Sequence, residues 1–275
     1  MNLSSAIILG IVQGLTELFP VSSSAHLVIL QSFLPDFKQP GVAFDAMLHL
    51  GTLFAVVFYF RVDLLNMLKA LAPQKNKILN ISRDNDPATL RKIFLFLVIG
   101  TIPAALLGLL FQDDLHKVFE SARAAAFFLI ITGFLLYFSD KVTDARRDEK
   151  DMNITDGILI GLAQAMALLP GISRSGATIT MGIFRKINRP AAARFSFLLS
   201  LPAVFGAVLL ESGYLKEISY QEAWLYFAGF LCAALAGFLS LKLFFLIIRR
   251  ARLKFFAYYC WILGTITILV KSDFF

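Results

Sequence analysis

The sequence predicts an all-α, polytopic membrane protein: an inverted-topology repeat with six transmembrane helices and two re-entrant helix–break–helix hairpins. Three observations lead there. The 275 residues are 58% hydrophobic and include 28 Phe, with a mean hydropathy of +0.73. Charged residues make up only 16%, against about 25% in soluble domains, so the soluble class is excluded. The apolar sequence falls into long runs without period-2 alternation, and two shorter apolar regions, broken by polar residues, are related by a fixed offset.

Taken in order, residues 3–16 form an apolar run of 14, about 21 Å long as a helix at 1.5 Å per residue. Glu17 and Pro20 interrupt it, and a second short run extends from Ala25 to Leu34. Each arm falls short of a hydrocarbon core about 30 Å thick. Runs over 42–60, 93–111 and 122–139 follow, with a polar, basic loop over 61–92 after the first of them. Residues 157–184 repeat the opening design, with Pro170, Gly171 and Arg174 at the break. Proline removes a donor and glycine permits unusual backbone angles, so a helix should stop there. Runs over 195–210, 223–241 and 255–270 complete the chain. Spans need about 17–25 residues, so the two shortest runs must borrow from their polar flanks. Helix is the expected state, because backbone groups in lipid must be satisfied internally. Each broken region is read as a hairpin entering and leaving on one face, the alternative being an ordinary span kinked at proline.

At an offset of 151, Gly10 meets Gly161, Gln13 meets Gln164, Ser22 meets Ser173 and Ser24 meets Ser175. The register continues through Phe44/Phe195, Leu48/Leu199 and Phe54/Phe205, while Pro20 and Pro170 miss by one. The expected organisation is one integral membrane domain over 1–275, with repeat 1 over about 1–140 and repeat 2 over about 152–275. One hairpin plus three spans is an odd number of crossings, so the second half must be inverted. Lys and Arg test this. Residues 61–92 hold seven, and 140–156, 184–194 and 249–254 hold four each; the opposite side has only Lys38, Lys117, Arg123, Lys216 and Lys271. Basic loops are cytoplasmic, which places both termini outside. The first hairpin then enters from outside and the second from the cytoplasm.

The net charge of +7 is explained by these loops, and no nucleic-acid partner is expected. Cys232 and Cys260 lie in apolar segments and read as buried small hydrophobes, without metal-ligand spacing. No cleavable signal is expected, since the first residues carry no positive n-region.

Ionisable groups inside the bilayer are costly and mark functional sites by default. Inverted repeats of broken helices put such a site near the midplane, where helix N-termini face anions. Both breaks lead into helices whose first turns hold Ser22, Ser23 and Ser24, or Ser173, Arg174 and Ser175. Arg174 offers a planar fork suited to phosphate, against a purely structural ion pair with Glu17. Glu17 is a divalent-metal ligand, a buried acid/base group, or a neutraliser of Arg174. His26 follows Ser22 by four residues and shares its helix face, so it is placed to deprotonate a serine or to act as nucleophile, or is a satisfied core residue. Gln13, four before Glu17, orients it or ligates a metal. Individual serines such as Ser22 or Ser24 can simply bond back to helix carbonyls. Asp45 and His49 share an i,i+4 face, read as a proton relay or as a solvated helix end.

Gln13-x-x-x-Glu17, Pro20-Val-Ser-Ser-Ser-Ala-His26 and Pro170-Gly-Ile-Ser-Arg-Ser-Gly-Ala-Thr178 resemble the signature motifs of the undecaprenyl-diphosphate phosphatase family, bacterial membrane enzymes associated with bacitracin resistance. The resemblance covers essentially the whole chain, including Phe44 to Gly51. It implies hydrolysis of undecaprenyl diphosphate to undecaprenyl phosphate plus phosphate, recycling the lipid carrier for peptidoglycan and other wall polymers. Bacitracin enters only indirectly, by competing for that lipid. The resemblance also implies a plasma (inner) membrane location, a site facing the periplasm, and Mg2+ or Ca2+ as cofactor. Carried onto this chain, it makes Glu17, Ser23, His26 and Arg174 catalytic, with Glu17 and Gln13 as metal ligands. Ser22, Ser24, Gly171, Ser173, Ser175 and Thr178 would line the substrate site. The family has Glu or Gln at Gln13, and Gln supplies an oxygen without charge; Ala25 stands where Gly is usual. The partners are the polyprenyl diphosphate and the bilayer, with a homodimer left open.

In the expected mechanism Arg174, the hairpin N–H groups and the metal bind the diphosphate, and Ser23, activated by His26 or Glu17, attacks the terminal phosphorus. His26 as phosphoryl acceptor is the variant. Architecture alone would favour a secondary transporter or lipid flippase. A transporter, however, has no need of a nucleophile beside a buried acid.

Overall fold

The computed structural model of the protein describes residues 2–32, 42–72, 86–119, 121–215, 222–249 and 252–271. Its described residues form helices α1 (Leu3–Leu18), α2 (Ser23–Gln31), α3 (Val42–Tyr59), α4 (Arg61–Leu71), α5 (Pro87–Leu110), α6 (Gln112–Phe119), α7 (Ala122–Ser139), α8 (Ile154–Met166), α9 (Arg174–Phe184), α10 (Arg189–Leu215), α11 (Ala223–Ile247) and α12 (Lys254–Val270). The architecture is an all-α bundle of the polytopic membrane type.

Among the described residues four helices, α5, α7, α10 and α11, are long and apolar enough to cross a membrane, and α3 with α4 adds a fifth if that bent pair counts as one span. The expected run over 42–60 therefore ends differently from a plain span. The chain turns by 71° between α3 and α4, with Phe60 outside helical geometry at the junction. The last run forms α12, only 17 residues long. Elsewhere the helices outrun the apolar runs, because hydropathy stops at charge while hydrogen bonding does not. α5 begins at Pro87, a favourable first position, capped by the Asp86 carboxylate. Arg91 and Lys92 in its first turns donate to the carbonyls of Ala70 and Lys150.

Exposed Phe, Leu and Ile are spread over α3, α5, α11 and α12, among them Phe54, Leu95, Leu110, Leu246 and Ile262. In water such a surface would aggregate; in lipid it is the solvated face. Small residues let the helices approach. A Cβ on Gly10 would lie 2.5 Å from the Gly229 carbonyl oxygen, and one on Gly161 would lie 2.5 Å from that of Gly100. These contacts cross between the halves: α1 packs on α11, α8 packs on α5, α3 meets α10 and α7 meets α12.

The two broken regions match in detail. The Ser22 hydroxyl accepts from the Ala25 N–H, and the Ser173 hydroxyl accepts from the Gly176 N–H. Ser22 and Ser24 hydroxyls lie 3.1 Å apart, and Ser173 and Ser175 hydroxyls 3.3 Å. Phe44 and Phe195, and Leu48 and Leu199, are all fully buried. The breaks differ in how they bend. Gly171 takes φ +100° in the second, whereas the first has no glycine and Ser22 itself adopts φ 64°, a conformation L-residues other than Asn or Asp seldom take. Cys260 is buried and Cys232 half-buried, and both are free thiols.

At the basic end, Asp156 is fully buried and accepts from Arg147 and Arg185. It also accepts from the Asn153 N–H, while the Asn153 side chain caps the Asp156 N–H in return. This reciprocal cap starts α8 and ties it to the end of α9.

Candidate active site

The two breaks meet. Ser175, in the first turn of α9, has its hydroxyl 3.4 Å from the Glu17 carbonyl oxygen and 3.2 Å from that of Phe19. A helix leaves its last carbonyls unpaired, so a residue of the second broken region completes the end of α1. In return the Gly171 N–H donates to the Ser24 hydroxyl at 3.3 Å.

Glu17 stands at the centre, its side chain only 8% exposed. Its Oε1 accepts from Arg174 Nη2 at 2.8 Å. Its Oε2 accepts from the Ser23 hydroxyl at 2.5 Å and from the Gln13 amide at 3.1 Å. His49 Nδ1 lies 3.6 Å from the same oxygen and 2.9 Å from Gln13 Nε2. The carboxylate thus joins four side chains from α1, α2, α3 and α9. A buried ion pair of this quality needs further hydrogen bonds to offset desolvation, and here Ser23 and Gln13 supply them. Gln13 is fully buried, and its Oε1 has no hydrogen-bond partner among the described residues.

Arg174 is held from behind. Its Nη1 donates to the Ser196 carbonyl at 3.4 Å. Its own carbonyl accepts from Thr178, whose hydroxyl also meets that of Ser196 at 2.5 Å. Thr178 is fully buried and so supports the arginine. Ser173 and Ser175 are buried as well, with hydroxyls engaged in the caps and cross-links described above. Ser22 caps α2. Ser23 stands apart: the partner of its hydroxyl is the Glu17 carboxylate.

His26 shares the first turns of α2, but its ring is turned to other partners. Nδ1 lies 2.7 Å from the Ser22 carbonyl oxygen and Nε2 lies 2.7 Å from the Tyr259 hydroxyl on α12. Asp45 and His49 still interact electrostatically, but their hydrogen bonds go to different partners. Asp45 accepts from the Gln31 amide at 3.0 Å, while His49 turns to the Glu17 cluster.

Sequence reasoning missed Thr132, Ser196 and Tyr259. Thr132 on α7 donates to the Gly171 carbonyl at 2.9 Å and accepts from the Ser173 N–H at 3.0 Å, pinning both sides of the second break. It is the one aliphatic hydroxyl in 122–138, a signal that could have found it.

An apolar helical bundle of this kind defines a polytopic membrane protein, and the buried carboxylate–serine–arginine cluster between its two broken regions is the candidate active site. The chain belongs to the family described as "Bacitracin resistance protein BacA", whose sequence profile matches residues 6–266. Curated relatives called "Undecaprenyl-diphosphatase" include those of Syntrophotalea carbinolica, 41% identical over 99% of this chain and 100% of the relative; Methanobrevibacter smithii, 39% identical over 98% of each; and Rubrobacter xylanophilus, 42% identical over 94% of each.

Proposed function

We propose that the chain is an undecaprenyl-diphosphate phosphatase, releasing phosphate from undecaprenyl diphosphate and regenerating the monophosphate carrier for peptidoglycan synthesis. The carrying observation is that one carboxylate, Glu17, holds both the Ser23 hydroxyl and the Arg174 guanidinium, at 2.5 and 2.8 Å.

Glu17 is the base and Ser23 the nucleophile. The Ser23 oxygen attacks the terminal phosphorus while its proton passes to Glu17. The bond from phosphorus to the bridging oxygen breaks, and the prenyl phosphate leaves with its electron pair. Water then attacks the phosphoserine, one water proton goes to solvent, Glu17 returns its proton to Ser23, and phosphate departs. Arg174 exchanges part of its bond to Glu17 for the phosphoryl oxygens. The first N–H groups of α2 and α9, at Ser23, Ser24, Arg174 and Ser175, are those a helix leaves without internal acceptors, and they favour the same anion. Neutralising the charge on the transferring phosphoryl group accelerates the reaction more than any other single effect.

Among the described residues no group of three or more His, Cys, Asp or Glu could hold a metal ion. The residues present fit a weaker arrangement, in which the Glu17 carboxylate, with the Gln13 amide oxygen that lacks a partner among the described residues, would hold Mg2+ or Ca2+ through oxygen ligands. Mg2+ in particular is commonly bound by one or two carboxylates together with substrate phosphates rather than by an all-protein cage. When bound, the ion supplies further neutralisation of the diphosphate.

The finer topology belongs to the same proposal. α1, 16 residues, and α8, 13 residues, reach about 24 and 20 Å at 1.5 Å per residue, short of a bilayer core. With their partners α2 and α9 they form two re-entrant hairpins, and α3, α5, α7, α10, α11 and α12 are the six spans. The matched serine caps and the crossed packing support an inverted repeat. The Lys and Arg distribution supports termini and site on the periplasmic side of the plasma membrane.

The test is phosphate release from undecaprenyl diphosphate by the purified, metal-supplied protein in detergent. We expect turnover for the native chain and loss of nearly all of it in Ser23→Ala. A native protein that binds the lipid but releases no phosphate under any metal is a transporter, and the proposal fails.

A further inference from the structure

His26 has both ring nitrogens occupied. The Ser22 carbonyl can only accept, so the nitrogen 2.7 Å from it, Nδ1, carries a proton. In the neutral ring Nε2 is then a bare lone pair. The Tyr259 hydroxyl, 2.7 Å from Nε2, must be the donor. The two ring planes are nearly parallel, 5° apart with centroids separated by 5.6 Å. His26 and Tyr259 lie 233 positions apart, and no motif contains the tyrosine. The contact ties the first hairpin to the last helix of the chain.

Resting on the phosphatase reading above, we propose that Tyr259 is a positioning residue for that reaction. The Ser22 carbonyl fixes His26 as the Nδ1–H tautomer, and the Tyr259 hydroxyl, donating to Nε2, holds the imidazole in one rotamer turned away from the Ser23 hydroxyl. Ser22 makes the arrangement one-sided. Its φ of 64° accompanies the turn in which its carbonyl meets the ring of His26. That bond sets which nitrogen is protonated, and Tyr259 sets where the other one points. Without the tyrosine, Nε2 loses the donor it has among the described residues, and the ring is free to rotate about its side-chain bonds and to compete with Glu17 for the Ser23 proton. His26 thereby leaves the Ser23 proton to Glu17, whose oxygen is already 2.5 Å away.

Tyr259→Phe removes the donor and keeps the ring. Tyr258→Phe is the matched control, since Tyr258 packs on Tyr137 and Trp261 rather than on His26. The full chain in detergent is assayed for kcat and KM with undecaprenyl diphosphate, and in parallel its histidine ring nitrogens are observed by 15N NMR. The chain has three histidines, and the His26 signal is identified from His26→Asn. Expected for Tyr259→Phe are a shift of the His26 Nε2 resonance and a kcat about tenfold lower, the worth of roughly one hydrogen bond, with KM less affected. Tyr258→Phe should change neither. An unchanged His26 spectrum in Tyr259→Phe overturns the inference whether or not kcat falls, and so does an unchanged kcat with a shifted spectrum. If the native chain releases no phosphate, the phosphatase reading falls and this role falls with it; the spectrum then still reports whether Tyr259 donates to His26 Nε2.

Discussion

Arg174 Nη2 lies 2.8 Å from Glu17 Oε1, although 157 positions separate the two residues. Each is the other's compensation in a setting where neither is affordable alone. Breaking a buried pair leaves an uncompensated charge worth about 3–5 kcal/mol. Arg174→Ala should therefore lose both stability and turnover. Phosphate release should fall on the order of 100- to 1000-fold, as for other single donors to a transferring group. Arg174→Lys should recover little, because an ammonium cannot hold Glu17 and a phosphoryl group in one planar fork. Steady-state assays on the three proteins decide this. Substantial activity in the alanine variant would remove Arg174 from the site.

Gly171 is the second test. Its φ is +100°, and a Cβ there would lie 2.1 Å from the Ala125 carbonyl oxygen. Strain alone costs about 1–3 kcal/mol, and the clash with backbone adds to it. Gly171→Ala should lower the melting temperature in detergent and weaken the Thr132 staple that fixes Arg174. A thermal melt close to that of the native protein would contradict this.

Divalent cations give the third. A chelator should stop phosphate release, and Mg2+ or Ca2+ should restore it. Gln13→Glu places a second carboxylate beside Glu17 and should lower the metal concentration needed for half-maximal activity. The reading fails if this variant needs more metal than the native chain does.

Asp156 supplies a pH dependence away from the catalytic groups. Burial would raise its carboxyl, but the hydrogen bonds from Arg147 and Arg185 prevail and hold it below the ordinary value of 3.8. A carboxyl depressed in the folded state stabilises fully above its unfolded value and loses that contribution as pH falls towards the folded one. The clamp should therefore persist at neutral pH and release only below about 3.8. Asp156→Asn should cost about 3 kcal/mol, the low end for a broken pair because both arginines reach solvent. Melting curves from pH 7 downward test this: the native protein should approach the variant only in strong acid.

Much of this was legible beforehand because membranes punish polar residues. Glu17, Ser23 and Arg174 stood out against apolar sequence, and the structure joins them. The breaks were legible from Pro20, Pro170 and Gly171, since proline and glycine act locally. Long-range orientation was not. His26 shares a helix face with Ser22 and so read as a partner for the serines, yet its ring turns to Tyr259, one of two adjacent tyrosines in an apolar run. Spacing pairs His49 with Asp45 four residues away, and the two do interact, but it does not show that His49 also joins the Glu17 cluster while Asp45 accepts from Gln31. Helical spacing says which residues can be neighbours along one helix; it does not say what the next helix presents to them. The bend at Phe60 escaped for a similar reason, because hydropathy is blind to direction.

The crossed packing has a consequence for biogenesis. The ribosome finishes residues 1–140 before Arg174 has been polymerised, and α1 then has no α11 to dock against. Until the second half arrives, Glu17 sits in the nascent chain without its guanidinium, and α1 lacks the surface that Gly10 is shaped to meet. The first half can be threaded into the bilayer but not completed there. The site therefore exists only once both parts of the chain are present, and a chain truncated before Arg174 is left with a stranded carboxyl as well as without a site.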